Sequence, residues 1–195
     1  MRGIAIGLAA LALAACGQPR SQQAEGCVLG AAHELIWTDA SAPDIVTAQA
    51  QGPSCAQAML TLEIRNARGA SLWAFTTAYA DLVAGGGGPE AAPPVSAAEM
   101  DAFLAGWADL SAMRSSELPA WREGEASPTD SVQNFSYRTP LTRAEYEHLR
   151  TRGLAMLCYA AATETSACLI ADPASGAPVV IASFGPSAFR ASREN

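Results

Sequence analysis

The sequence contains no lysine, and all twelve of its basic residues are arginines. This absence excludes a P-loop, a Schiff-base or pyridoxal-phosphate lysine and a Ser-x-x-Lys nucleophile pair, because each of these sites requires a lysine amine. Only two histidines occur, His33 and His148, and no Cys-x-x-Cys pair is present. Histidine and Cys-x-x-Cys ligands are therefore scarce, and we expect no cofactor and no metal site.

The chain also lacks a long hydrophobic run and an excess of positive charge. No stretch reaches 18 uninterrupted apolar residues, whereas a membrane-spanning helix needs about 20. The formal net charge of −7 makes nucleic acids and anionic lipid head groups improbable partners, because like charges repel. The chain is long enough to form one domain with a sizeable core.

The N-terminus has the organisation of an export signal. Arg2 precedes twelve apolar residues, Ile4–Ala15, and the run ends in Leu13-Ala14-Ala15-Cys16. That length suits a signal-peptide core and is too short to span a bilayer. The tetrapeptide resembles the lipobox of bacterial lipoproteins. The alternative is an ordinary secretory leader that is cleaved after Ala12-Leu13-Ala14.

The resemblance implies that residues 1–15 are removed and that Cys16 becomes a lipidated first residue. Its thiol would carry diacylglycerol, and its amine an acyl chain such as palmitate. Three acyl chains bind a bilayer far more firmly than one, at about 0.8 kcal/mol per buried CH₂. Because Gly17 rather than aspartate follows the cysteine, the protein resembles lipoproteins that are sorted to the outer membrane and face the periplasm.

The rest of the chain divides into three parts. Residues 16–26 are polar and rich in helix breakers, so they form a flexible tether with a predicted reach of about 17 Å. Residues 27–185 form a single disulfide-stapled domain, and residues 186–195 form a frayed tail. Four cysteines remain in an exported chain, which indicates two disulfides.

Three pairings of these cysteines are possible, and we favour Cys27–Cys55 with Cys158–Cys168. The second pair fits an antiparallel hairpin whose turn centres on Thr163, because directly opposed residues have the Cα separation that a disulfide requires. The first pair would hold the N-terminal segment against the base of another hairpin. A zinc site is the alternative for the four cysteines, but it lacks the usual ligand spacing.

Alternating apolar residues predict a hairpin of Met59–Arg65 and Ala70–Thr77. Two capping boxes, Ser96-Ala-Ala-Glu99 and Thr142-Arg-Ala-Glu145, predict the starts of two helices. Further strands are expected at the positions that follow: His33–Thr38, Ala155–Ala162, Ala167–Ala171 and Pro178–Phe184. Asp39–Pro53 is interpreted as a loop or short helix, and residues 114–140 as a long connection that Trp121 and Phe135 dock onto the core. The predicted fold is α+β, with one antiparallel sheet of about five strands and two helices packed on one face.

No recognisable catalytic constellation emerges, so we expect a non-enzymatic envelope module that binds an unidentified protein or cell-wall partner. Trp121 is the candidate binding anchor, because it lies in a loop segment outside the patterned elements. A small periplasmic hydrolase that uses His33 or His148 is the main alternative. His33 could form a triad with Asp39 or Asp44 and a serine, although no Gly-x-Ser-x-Gly elbow is present. The size, anchor and stapling also resemble those of bacterial lysozyme-inhibitor lipoproteins, by analogy alone.

Overall fold

Two antiparallel sheets and three helices form the part of the chain that the computed structural model describes, which comprises residues 26–85, 90, 92–130, 135–172 and 174–186. The predicted leader, the lipidation site Cys16, the tether before residue 26 and the tail beyond residue 186 lie outside the described residues. None of the helices within the described part has both the length and the apolar character needed to cross a bilayer.

The first sheet is a four-stranded meander in which each strand pairs with the next one along the chain. Its strands are β1 (Cys27–Leu35), β2 (Asp44–Gly52), β3 (Met59–Arg65) and β4 (Ser71–Ala78). The hairpin predicted over residues 59–77 is confirmed as β3 and β4. A short 3-10 turn, Cys55–Gln57, joins β2 to β3.

The second sheet has six antiparallel strands in the order β5-β8-β9-β10-β7-β6. Its strands are β5 (Ala112–Arg114), β6 (Thr129–Asp130), β7 (Phe135–Arg138), β8 (Ala155–Ala162), β9 (Thr165–Ala171) and β10 (Pro178–Pro186). The predicted pairing of β8 with β9 is confirmed, with Met156 opposite Ile170 and Cys158 opposite Cys168.

Two of the three described helices begin where their capping boxes predict. The helix without a predicted cap, α1 (Tyr79–Val83), is a single short turn after β4. Ser96 caps α2 (Ala97–Ala108) and Thr142 caps α3 (Arg143–Thr151), and both predicted capping boxes are formed. The third helix ends just before Gly153, which has the positive φ of 60° that a helix-terminating glycine adopts.

Two apolar clusters lie on opposite faces of the six-stranded sheet. The larger one joins the inner face of the four-stranded sheet to α2 and to Leu157, Tyr159 and Leu169. Within it, the indole N–H of Trp107 donates to the carbonyl oxygen of Ala160. The smaller cluster packs Tyr146 of α3 against Met156 and neighbouring side chains. The residues of β8 therefore alternate between the two cores.

The prediction of one sheet of about five strands is wrong, because the described residues contain two sheets with four and six strands. The prediction of two helices on one face is wrong as well, because the described residues form three helices, and α2 and α3 pack in different cores on opposite faces of the six-stranded sheet. The interpretation of Asp39–Pro53 as a loop or helix is also wrong for β2. There, Val46, Ala48 and Ala50 are buried and alternate with exposed or half-buried polar residues. Pairing between two strands stabilises β2 despite the weak strand preference of alanine.

Both favoured disulfides are confirmed. Cys27 and Cys55 are bonded with a Cα–Cα separation of 4.8 Å, and Cys158 and Cys168 with one of 4.1 Å. The first bond ties the start of the edge strand β1 to the connection before β3. The second crosslinks β8 to β9 on the face of the smaller core.

Candidate binding surface

The outer face of the four-stranded sheet is an extended open surface within the described part of the chain. Its inner face packs against α2 and the six-stranded sheet, so the alternate side chains point to solvent. These outward residues form the open face and are Val28, Gly30, Ala32 and Glu34 on β1, Ile45, Thr47, Gln49 and Gln51 on β2, Met59, Thr61, Glu63 and Arg65 on β3, and Ala74, Thr76 and Ala78 on β4.

The middle of the open face carries neutral hydrogen-bonding side chains. Gln49 lies opposite Thr61 on the next strand, and Thr61 lies opposite Thr76. The two threonine hydroxyls are 3.2 Å apart and share one hydrogen bond. Because strands are about 4.8 Å apart, this row spans roughly 10 Å. Its hydroxyl and amide groups can both donate and accept hydrogen bonds.

The charges of the open face are few and largely paired. The guanidinium of Arg65 lies 2.8 Å from the carboxylate of Glu63 and also donates to the carbonyl oxygen of Gly69. Glu34, at the exposed edge, leaves the face with a small negative excess. Residues 26–110 contain nine acidic residues and two arginines, so the surrounding field disfavours anionic polymers.

Apolar side chains lie at the ends of the open face rather than at its centre. Val28 is 75% exposed and shares a row with Met59 at one end. Ile36, just after β1, and Ile45 are exposed at the other end. A protein-binding hot spot normally has large apolar or aromatic residues at its centre, so this arrangement is a poor match for one.

A polar cleft of about 240 Å³ lies beyond that second end, between the β1–β2 and β3–β4 turns. The Asp44 carboxylate in its wall accepts hydrogen bonds from the backbone N–H and hydroxyl of Thr38. Asp39 accepts from the backbone and hydroxyl of Ser41, and these bonds lower the pKa of its carboxyl. The hydrogen bonds of both acids therefore stabilise the connection between β1 and β2.

The two histidines lie far apart in the sequence and have different surroundings. His33, on β1, has its Nε2 atom 3.3 Å from a carboxylate oxygen of Asp109 at the C-terminal end of α2. The hydrolase hypothesis places Asp39 or Asp44 beside it, but these aspartates hold Ser41 and Thr38. His148 is exposed on α3, while Glu145 of the same helix bonds to its cap, Thr142.

Trp121, the anchor proposed from the sequence, is half-buried against the smaller core. Its ring meets that of Tyr146 edge-on at a centroid distance of 6.0 Å. The indole N–H donates to the carbonyl oxygen of Glu125, and the backbone N–H donates to the Glu147 carboxylate. Both N–H groups of Trp121 are thus engaged within the domain, and Phe135 docks on the same core, as predicted.

The open face is not among the sites predicted from the sequence. Its signal is present in β2, where Thr47, Gln49 and Gln51 alternate with buried apolar residues, but the alanines of that segment favour the interpretation as a loop. Among the described residues, no three His, Cys, Asp or Glu side chains are grouped to hold a metal ion. No protein-family model, curated protein or solved structure matches the chain significantly.

Proposed function

We propose that this chain is a lipid-anchored, non-enzymatic module of the bacterial cell envelope, and that its open face binds the glycan strands of the cell wall. The observation that carries the proposal is the row Gln49–Thr61–Thr76, which places neutral hydrogen-bonding side chains at the centre of the open face. Acylated Cys16 holds the module at the outer membrane, on the periplasmic side.

The assignment to the periplasm rests on two independent features. The leader ends in a lipobox-like sequence, and the domain behind it contains two disulfides. Disulfides persist in oxidising compartments such as the bacterial periplasm and are rare in the cytosol. A predicted tether of about 17 Å keeps the domain close to its membrane and within the space that the cell wall occupies.

The choice of ligand rests on the chemistry of the open face. Cell-wall glycans present hydroxyl and acetamido groups, which pair with side chains that both donate and accept. The apolar residues at the ends of the face leave its polar middle free for such hydrogen bonds.

Co-sedimentation with purified peptidoglycan sacculi tests this assignment. The mature chain carrying Cys16→Ser provides a lipid-free protein with an intact open face. We expect it to sediment with the sacculi, and we expect a Gln49→Ala/Thr61→Val/Thr76→Val variant to bind at least tenfold more weakly. Three lost hydrogen bonds at about 1 kcal/mol each correspond to roughly a hundredfold change, so tenfold is the lower bound.

The matched control carries Gln57→Ala and Thr129→Val, which remove the same residue types from exposed positions elsewhere. Equal sedimentation of the triple variant and the parent, or no sedimentation of the parent, would overturn the glycan assignment. A photo-crosslinker at position 49 that captures a single envelope protein in cells would replace the glycan with a protein partner.

The anchor has its own test. Mass spectrometry of the N-terminal peptide from the membrane fraction is expected to show acylated Cys16 as the first residue. Substituting Cys16→Ser should release the protein from the membrane. An unmodified N-terminus produced by cleavage after Ala14 would identify an ordinary secreted protein instead.

A further inference from the structure

Strand β1 is an open edge of the four-stranded sheet. It pairs with β2 on one side, and the backbone hydrogen bonds found outside strands and helices include none to Cys27–Leu35 in the described part of the chain. About every second residue of an edge strand directs its N–H and C=O groups away from the sheet. This edge therefore offers a row of free donors and acceptors to another strand.

The β1 edge lacks the features that usually prevent pairing. It contains no proline, lysine or arginine, and its nine residues pair with β2 in one continuous register. The opposite edge strand, β4, pairs with β3 irregularly, because the register of that pair shifts between Ile64 and Arg65. The described edge strands of the second sheet, β5 and β6, have only three and two residues. Short strands, bulges, prolines and charged side chains are the common protections; of these, β1 has only the carboxylate of Glu34.

The exposed apolar residues along this edge are symmetrically placed. Val28 is 75% exposed and Ile36 is 51% exposed. Leu35 and Trp37 are buried on either side of Ile36, so the alternation of β1 continues past its last paired residue and places Ile36 on the outer side. Val28 and Ile36 are each four residues from Ala32, an exposed alanine on the same side.

We propose that two copies of this chain join through their β1 edges in an antiparallel pair centred on Ala32, which forms one eight-stranded sheet. Each Val28 then lies opposite Ile36 of the second copy, and the two-fold symmetry forms this apolar pair twice. A register centred on Ala31 would instead place Val28 opposite Glu34. Centring on Ala32 is the register that covers both exposed residues.

Charge and shape agree with this register. Glu34 lies opposite Gly30 of the second copy, and the two Glu34 side chains are separated by about 13 Å along the strand direction. On the inner side, Leu29 lies opposite Leu35. No like charges are directly opposed, so the pair avoids the main electrostatic penalty of cross-strand contacts. The association also doubles the open face, although it does not depend on what that face binds.

Sedimentation equilibrium of the lipid-free Cys16→Ser chain measures the association directly. We expect a reversible dimer with twice the mass of the single chain. Ala32→Lys should abolish it, because two ammonium groups would meet on the symmetry axis. Ala74→Lys is the matched control, since it adds the same charge to an exposed alanine of the same face on β4, and it should still form the dimer.

A crosslink tests the register even if the lysine variant fails to fold. Opposed residues of an antiparallel pair have Cα atoms about 4.5–5.5 Å apart, which is within the range of a disulfide. Mild oxidation should therefore join two Ala32→Cys copies covalently and leave Ala74→Cys copies separate. A monomer at every concentration, or a dimer that Ala32→Lys leaves intact and Ala32→Cys does not crosslink, would overturn the proposal.

Discussion

Asp44 is a buried acid whose role is local. Asp44 is 1% exposed. Its carboxylate accepts one hydrogen bond from the hydroxyl of Thr38, which both carboxylate oxygens share, and one from the backbone N–H of Thr38. These bonds fasten the turn between β1 and β2 where β2 begins. The cleft beside Asp44 therefore owes its shape to a carboxylate whose hydrogen bonds are satisfied within the domain.

Replacing Asp44 by alanine should lower the free energy of unfolding by about 1–3 kcal/mol, because the Thr38 donors lose their buried acceptor. Urea denaturation measures this loss. Asp39→Ala is the control, since Asp39 makes similar bonds to Ser41 at an exposed position and should cost less. Equal losses for the two variants would contradict the role assigned to burial.

The caps of α2 and α3 predict a dependence of stability on pH. Hydrogen bonds from the backbone and hydroxyl of Ser96 hold the pKa of Glu99 below its ordinary value, and Thr142 does the same for Glu145. A depressed pKa in the folded state stabilises the protein above the unfolded pKa of the acid. That contribution disappears as the pH falls through the folded pKa.

Ser96→Ala should therefore lower the melting temperature at pH 7, and the difference from the parent should shrink in acid, below the ordinary pKa of a glutamate. Thermal unfolding of both proteins across that pH range tests the effect. Ala98→Ser is a suitable control, because it changes an exposed position in the same first turn and leaves the box intact. A difference that stays constant with pH would show that the carboxylate is not involved.

At the scale of the element, secondary structure could be predicted from the sequence where local chemistry is distinctive. The two helix starts follow from Ser/Thr and Glu three residues apart, and the β8–β9 register follows from two cysteines that must lie opposite one another. Strand β2 escapes prediction because Ala48 and Ala50 have little strand preference of their own. Its stability comes from β1 and β3, which are contacts that no local pattern contains.

The candidate site also depends on contacts between strands, which local sequence patterns do not contain. The sequence predicts β1 only from His33 onward, although the strand begins at Cys27, because Gly30 and the two following alanines carry a weak strand signal. The open face requires four strands in register, and the free edge requires knowledge of the strand order. Neither the open face nor the free edge can be inferred from one segment alone. The disulfide Cys27–Cys55, which fixes the start of β1, could be predicted from the sequence.

The segment between α2 and α3 is held by a few anchoring side chains rather than by a long element. Trp121 packs against Tyr146, whose hydroxyl donates to the carbonyl oxygen of Pro119 at 2.8 Å. Burial raises the pKa of this Tyr146 hydroxyl, in agreement with its position inside the smaller core. The pair connects residues 119–121 to α3.

Trp121→Ala should reduce the free energy of unfolding by about 3 kcal/mol, because a large ring is removed from a packed site. Trp121→Phe is expected to retain most of that stability while losing the bond to the Glu125 carbonyl. Chemical denaturation of both variants compares the two contributions. A stable Trp121→Ala variant with weakened binding to sacculi would instead restore Trp121 as a binding anchor.

At the scale of the molecule, the two disulfides restrain loops of different size. Cys27–Cys55 joins residues 28 positions apart, and Cys158–Cys168 joins residues 10 positions apart. In the chain-entropy description, a longer loop restricts the unfolded chain more. The first bond also connects an edge strand to the interior of its sheet, while the second links strands that are already paired.

Removing Cys27–Cys55 with paired alanines should cost about 3.6 kcal/mol, and removing Cys158–Cys168 about 2.7 kcal/mol, by the loop-closure relation. Equilibrium unfolding of the two double variants gives the comparison. If the shorter loop proves the costlier one to open, native packing around the buried Cys168 rather than chain entropy determines the effect.

The position of Cys27 also determines how the domain bears a pull. A force that arrives through residue 26 acts on the first residue of an edge strand. Pulled from that end, the antiparallel hydrogen bonds of the strand break one after another. The bond to Cys55 transfers that force to the connection before β3, an interior strand, so β1 is bypassed. A module held to a membrane at one end and to a wall at the other would therefore withstand tension while oxidised. Reduction of this single crosslink would let β1 separate from β2.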